Sequence, residues 1–162
     1  MERIATRQIK SGDAQIFYRV LGEGPPVVLL HPFPANHELW LPAAEALAPR
    51  YRLILPDLRG HPDLVDGALR MMRKMSPEDV VQVQRGMAER PDSVPTLKTI
   101  NVPTLIVTGE EDILTGVNEA QAMHRHISGS NLRLVAKAGH YSPWERPEEV
   151  TTLLRQFLDS SR

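Results

Sequence analysis

PTLIVTGEEDILT, residues 103–115, joins an unbroken apolar run to an acidic turn. TLIVTG (104–109) lacks the in-out alternation of a half-exposed strand, so it predicts a strand covered on both faces. VVLLH (27–31), set off by Gly22, Gly24 and Pro25-Pro26, has the same character. So does YRLILPD (51–57), which Pro56 ends. A shorter strand is expected at 131–136 within NLRLVAKAG. Upstream, RQIK and AQIFYRVLG flank Ser11-Gly12-Asp13 and read as two strands.

Helical patterns separate these runs. HELWLPAAEALA (37–48) places Trp40, Ala44 and Leu47 at helical spacing, and Pro42 fits only near the start, so the helix is expected to begin at about residue 41. GVNEAQAMHRHI carries another helix. ERPEEVTTLLRQFL closes the chain with Val150, Leu153, Leu154, Phe157 and Leu158 at i, i+3, i+4, i+7 and i+8. The middle, 62–99, holds no strand pattern. PDLVDGALRMMRKM reads as one helix, and Ser76-Pro77-Glu78-Asp79 opens a second that runs to about Ala88.

The order ββ-β-α-β-(αα)-β-α-β-α implies an α/β fold, a mostly parallel sheet with helices on both faces. The expected organisation is a single domain over 1–162. Within it, 1–61 holds the N-terminal strands, 62–99 a helical connection, and 100–162 the C-terminal strands.

Composition removes several classes of function. Hydrophobic residues at 41% and charged residues at 24% describe a globular chain. Nineteen Lys+Arg against 20 Asp+Glu leave a net charge of -1, so no basic excess exists to hold nucleic acid. No apolar run approaches the ~20 residues of a membrane helix, so no membrane partner is expected. The absence of cysteine excludes disulfides, thiolate metal sites and a Cys nucleophile. MERIATRQIKSGD has no apolar signal-peptide core, and a cytoplasmic protein is expected. Aromatics at 5% argue against a base-stacking platform.

Parallel sheets place ligands beyond the carboxyl ends of their strands, and the polar residues gather there. His31-Pro32-Phe33-Pro34 follows the first buried run, Asp57-Leu58-Arg59-Gly60-His61 the second, Gly109-Glu110-Glu111-Asp112 the third and Gly139-His140-Tyr141-Ser142 the fourth. An Asp after one strand and a His after the next can meet at one edge, where the carboxylate fixes the imidazole tautomer and stabilises its cation. Asp57 and Arg59 have a plainer reading as a loop held by ion pairs and backbone hydrogen bonds.

HPFP with Trp40 downstream, LPDLRGH (55–61), PTLIVTGEEDILT (103–115) and AGHYSPWERPEEV (138–150), in this order, resemble the α/β-hydrolase family, in its branch of esterases, lactonases and peroxidase-like hydrolases. The resemblance covers 14–61 and 76–158. It implies that Asp112 is the acid and His140 the base of a catalytic triad. It implies that the backbone N–H of Phe33 helps to form an oxyanion hole, with His31 and Trp40 in the same binding region. A small carboxyl ester or related acyl compound is the implied substrate.

The departure from the family is equally specific. Its G-x-S-x-G nucleophile turn is absent: none of the serines at 11, 76, 93, 128, 130, 142, 160 and 161 lies in that context. Compared with the family, a block on the order of 100 residues is missing at a seam near His61-Pro62. Ser142 is too near His140 in sequence to be a natural attacker. Without the central strand, either 27–31 pairs directly with 104–108 or a second chain completes the sheet as a homodimer. Three functions stay open: a hydrolase, an inactive truncated or engineered scaffold, and a small-molecule binding module.

No metal or cofactor is expected. His124 and His126 face apart on a helix, Glu110-Glu111-Asp112 has no matching carboxylates for a hard cation, and neither G-x-G-x-x-G nor a Walker A sequence occurs. Met71, Met72 and Met75 read as packing. His37 and Glu38 read as a helix start.

Overall fold

The computed structural model describes residues 5–11, 14–32, 35–57 and 77–161. They divide into two compact units, Met1–Arg90 and Pro91–Arg162.

In the first unit, β1 (Ala5–Ser11) and β2 (Ala14–Leu21) form an antiparallel hairpin with Ile9 opposite Ile16. β2 pairs antiparallel with β4 (Arg52–Pro56), and β4 pairs parallel with β3 (Pro26–Val28). The sheet order is β1-β2-β4-β3. Two backbone bonds continue these ladders: the Leu29 N–H donates to the Ile54 carbonyl at 2.9 Å and the Asp57 N–H to the Phe17 carbonyl at 2.8 Å. The second bond carries the β4 exit one residue past Pro56 and sets the position of Asp57.

The runs 27–31 and 51–57 differ in burial. In β4, Leu53 and Leu55 are wholly buried while Arg52 is exposed. β3 is shorter than the apolar run predicts, and Val28 and Leu30 are 55% and 59% exposed, while Leu29 is buried. β3 sits at the edge of its sheet, with β4 as its strand neighbour among the described residues, and the exposed Val28 and Leu30 share the face opposite to that of the buried Leu29.

The expected helix at 37–48 is a 3₁₀ turn, His37–Trp40, that runs into α1 (Leu41–Leu47). The Asn36 side chain accepts from the Glu38 N–H at 3.0 Å and starts the turn. Pro42 falls in the first turn of α1, where a missing N–H costs nothing. α1 buries Ala43, Ala44 and Leu47. Gly22 adopts φ +70°, and a Cβ there would be driven into the carbonyl oxygens of Ala48 and Tyr51. α2 (Pro77–Ala88) matches the expected second helix of the middle segment. The expected first helix of that segment, with Met71, Met72 and Met75, lies outside the described residues.

The second unit alternates helices with a two-stranded sheet. β5 (Leu105–Gly109) and β6 (Asn131–Val135) pair in parallel over five rungs. α3 (Val94–Leu97) precedes them, α4 (Val117–His126) crosses between them, and α5 (Ser142–Glu145) and α6 (Pro147–Ser160) follow. Ile106, Ala120 and Ile127 form the buried core, with Leu97, Ile100 and Leu132 packed against it. α6 buries Val150, as its apolar stripe predicts. His124 and His126 bond separately, to the Ser130 hydroxyl at 2.8 Å and the Ala122 carbonyl at 2.7 Å. No helix among the described residues is long and apolar enough to cross a membrane.

The fully buried Leu55 gives a direct test of the first unit's core. Leu55→Ala removes a packed isobutyl group, and a loss of about 2–5 kcal/mol is expected, measured by urea unfolding.

Candidate active site

The parallel register of β5 and β6 brings two loops together at one edge. Gly109 pairs with Val135 on the last rung. Beyond it, the Glu110 N–H donates to the Val135 carbonyl at 3.0 Å and the Glu111 N–H to the Ala138 carbonyl at 2.9 Å. Glycine is required at 109, because a Cβ would be driven into the carbonyl oxygens of Ala138 and Gly139. The chain leaves β6 through Lys137, at φ 54°, in the left-handed region. Asp112 and His140 lie on the two zipped loops.

The Asp112 carboxylate is held before it meets the imidazole. Oδ1 accepts the Leu114 N–H at 2.8 Å and the Thr115 N–H at 3.0 Å, the local bonding that lets Asp nucleate a turn. Oδ2 accepts the Thr115 hydroxyl at 3.3 Å and lies 3.0 Å from His140 Nδ1. The Thr115 hydroxyl is also 3.3 Å from that Nδ1. The Tyr141 ring meets the imidazole edge to face, with centroids 5.4 Å apart.

Burial by itself would raise the Asp112 carboxyl. The Thr115 and Leu114 amides and the His140 imidazole outweigh it and hold the pKa down at about 2. The carboxylate is therefore ionised at neutral pH. Its charge selects the imidazole tautomer with the proton on Nδ1, which leaves the lone pair on Nε2. The carboxylate side chain is 5% exposed and the imidazole 29% exposed. Both line a cavity of about 380 Å³ with Thr108, Thr115, Met123 and Ser142. An imidazole oriented in this way by a carboxylate can accept a proton at Nε2 from a molecule in the adjacent space.

The other expected site residues belong to the first unit. The Trp40 indole N–H donates to the Leu30 carbonyl at 3.0 Å and ties the 3₁₀ turn to the exit of β3. His31 is buried, with Nε2 3.9 Å from Asp57 Oδ1 and Nδ1 3.1 Å from the Pro32 carbonyl oxygen. Phe33 lies outside the described residues.

Asp57 is the centre of a second Asp–His arrangement that the sequence reading did not assemble. Its Oδ1 accepts the His37 backbone N–H at 2.9 Å, and its two oxygens lie 2.8 and 2.9 Å from His37 Nδ1. Burial would raise the Asp57 carboxyl, but the His37 side chain, the His37 amide and the charges of His37 and His31 together hold it below its usual value. Both partners are buried, and His37 Nε2 has no hydrogen-bond partner among the described residues. Such a closed pair braces the loop entry, as the plainer reading of Asp57 holds. The pairing spans two elements 20 residues apart, and no local pattern reveals it.

Parts of the chain are similar to known proteins. Residues 25–63 match the family model described as alpha/beta hydrolase fold. A proline iminopeptidase of Saccharolobus solfataricus is 37% identical over 68 residues, which are 42% of this chain and 22% of that protein. A pimeloyl-[acyl-carrier protein] methyl ester esterase of Neisseria meningitidis is 36% identical over 72 residues, 44% of this chain and 28% of the relative. The matched stretches thus span about a quarter of these relatives' lengths. Among solved structures, a thermophilic esterase from Thermogutta terrifontis superposes with a TM-score of 0.78 at 22% identity, over 97% of this chain and 99% of that one.

The Asp112 carboxyl sets an acid-stability window. Its folded pKa lies below its unfolded value of ~3.9, so its contribution is complete above about pH 4 and is lost as the pH falls toward 2. Asp112→Asn is expected to flatten that part of the acid-unfolding curve, followed by circular dichroism.

Proposed function

Because the chain belongs to the α/β-hydrolase fold family, we propose that Asp112 and His140 are the acid–base half of a site that hydrolyses small carboxyl esters or related acyl compounds. The observation that carries this reading is the 3.0 Å bond from His140 Nδ1 to a carboxylate already fixed by two backbone amides, beside a cavity. Water is the attacker, since the sequence holds no serine in the family's nucleophile turn. His140 Nε2 takes one proton from the water as its oxygen bonds to the acyl carbon. Asp112 stabilises the resulting imidazolium. The proton then passes to the departing alkoxide as the C–O bond breaks, so ester and water become acid and alcohol. Proton transfer of this kind contributes ~10²–10⁴-fold.

The missing serine also favours a second reading, a scaffold or small-molecule binding module without turnover. No oxyanion stabilisation replaces a nucleophile, and a base acting on water is slower than a covalent route. The homodimer that would complete the sheet belongs with either reading.

Hydrolysis of a small activated aryl ester separates them. Wild type is expected to exceed the buffer rate, and His140→Ala and Asp112→Asn to lose the excess by roughly 10²-fold or more, in protein shown to be folded. Buffer-level rates in all three give the second reading. Bound ester without turnover then identifies the binding module.

A further inference from the structure

We infer that Glu145 is a positioning residue for His140, holding its loop by the two backbone amides that flank it. The inference rests on the reading of His140 as the base. Glu145 Oε2 accepts the Gly139 N–H at 2.7 Å, and Oε1 accepts the Tyr141 N–H at 3.0 Å. One carboxylate thus bridges the residues on either side of His140. Bonds from backbone N–H groups to a carboxylate are shorter and stronger than neutral ones. With both neighbours pinned, the Cα–Cβ direction of His140 is set before the imidazole reaches Asp112.

The local sequence builds this bridge. The N–H groups of Trp144 and Glu145 both donate to the Tyr141 carbonyl, at 2.8 and 2.9 Å. They close the single turn of α5, which returns the chain toward the loop it has just left. The carboxylate packs directly over Gly139, where a Cβ would lie 3.4 and 3.5 Å from its two oxygens, in ordinary van der Waals contact. Asp112 is braced from its own loop by Leu114 and Thr115, and Glu145 gives His140 the matching brace from the other side. Glu145 is exposed and has no part in the buried core, so its contribution is to the geometry of the pair.

Two readouts test this independently of each other. The ¹⁵N shifts of the His140 ring, assigned by their loss in His140→Ala, report the tautomer. Wild type is expected to hold the Nδ1–H form, Glu145→Ala to show a mixture, and Glu145→Gln to fall between, because an amide oxygen can replace only one of the two acceptors. In ester hydrolysis, Glu145→Ala is expected to lower kcat roughly 100-fold, the scale of a ~1 Å misplacement, with KM unchanged. Glu145→Gln preserves shape and tests the same point if the Ala variant does not fold. A tautomer unchanged in the folded variants overturns the inference, as does a mixed tautomer in wild type. If wild type has no turnover, the esterase reading fails, and the ring shifts still decide the role of Glu145.

Discussion

The close approach of the Ala138 and Gly139 carbonyls to Gly109 is the constraint on which the second unit depends. It ends the β5–β6 ladder with two strands flush at one edge. The bonds from the Glu110 and Glu111 amides then extend the sheet's hydrogen bonding into the loops. Asp112 and His140 are 28 residues apart in sequence, yet their separation is set by an interstrand distance and a few loop residues. A side chain at 109 would part the loops and the pair together.

The described residues include two hydrogen-bonded Asp–His pairs built from the same groups with different consequences. Asp57 and His37 are both buried, and Asp57 also takes the His37 backbone amide. This pair locks the exit of β4 to the 3₁₀ turn, and both of its side chains are buried. Asp112 is equally shielded, but His140 is 29% exposed and borders a cavity. Exposure of the imidazole, and not the strength of the carboxylate–imidazole contact, separates the braced loop from the candidate site.

Much of this was legible as pattern. Apolar runs located β4, β5 and β6, Pro42 marked the start of the helix after β3, and the spacing of Val150 to Leu158 marked a face of α6 on which Val150 is buried and the other four are half-buried. The run 27–31 was legible as a strand but not as an edge. Burial on the second face depends on a neighbour, and no residue within the run encodes one. The pairing of His37 with Asp57 and the bridge from Glu145 were equally hidden. Each requires a turn to bring a carboxylate back onto a backbone amide, and amides carry no signature in a sequence.

Residue order alone therefore determined the element types, the α/β class and the placement of an Asp and a His after successive strands, because periodicity and turn chemistry are local. It also determined that no serine stands in a nucleophile turn. Folding in three dimensions decided which Asp–His pair is sealed and which borders space, how low the Asp112 carboxyl sits, and what anchors His140. Those properties depend on distances and on exclusion of water, and both arise only when segments far apart in the chain are packed together.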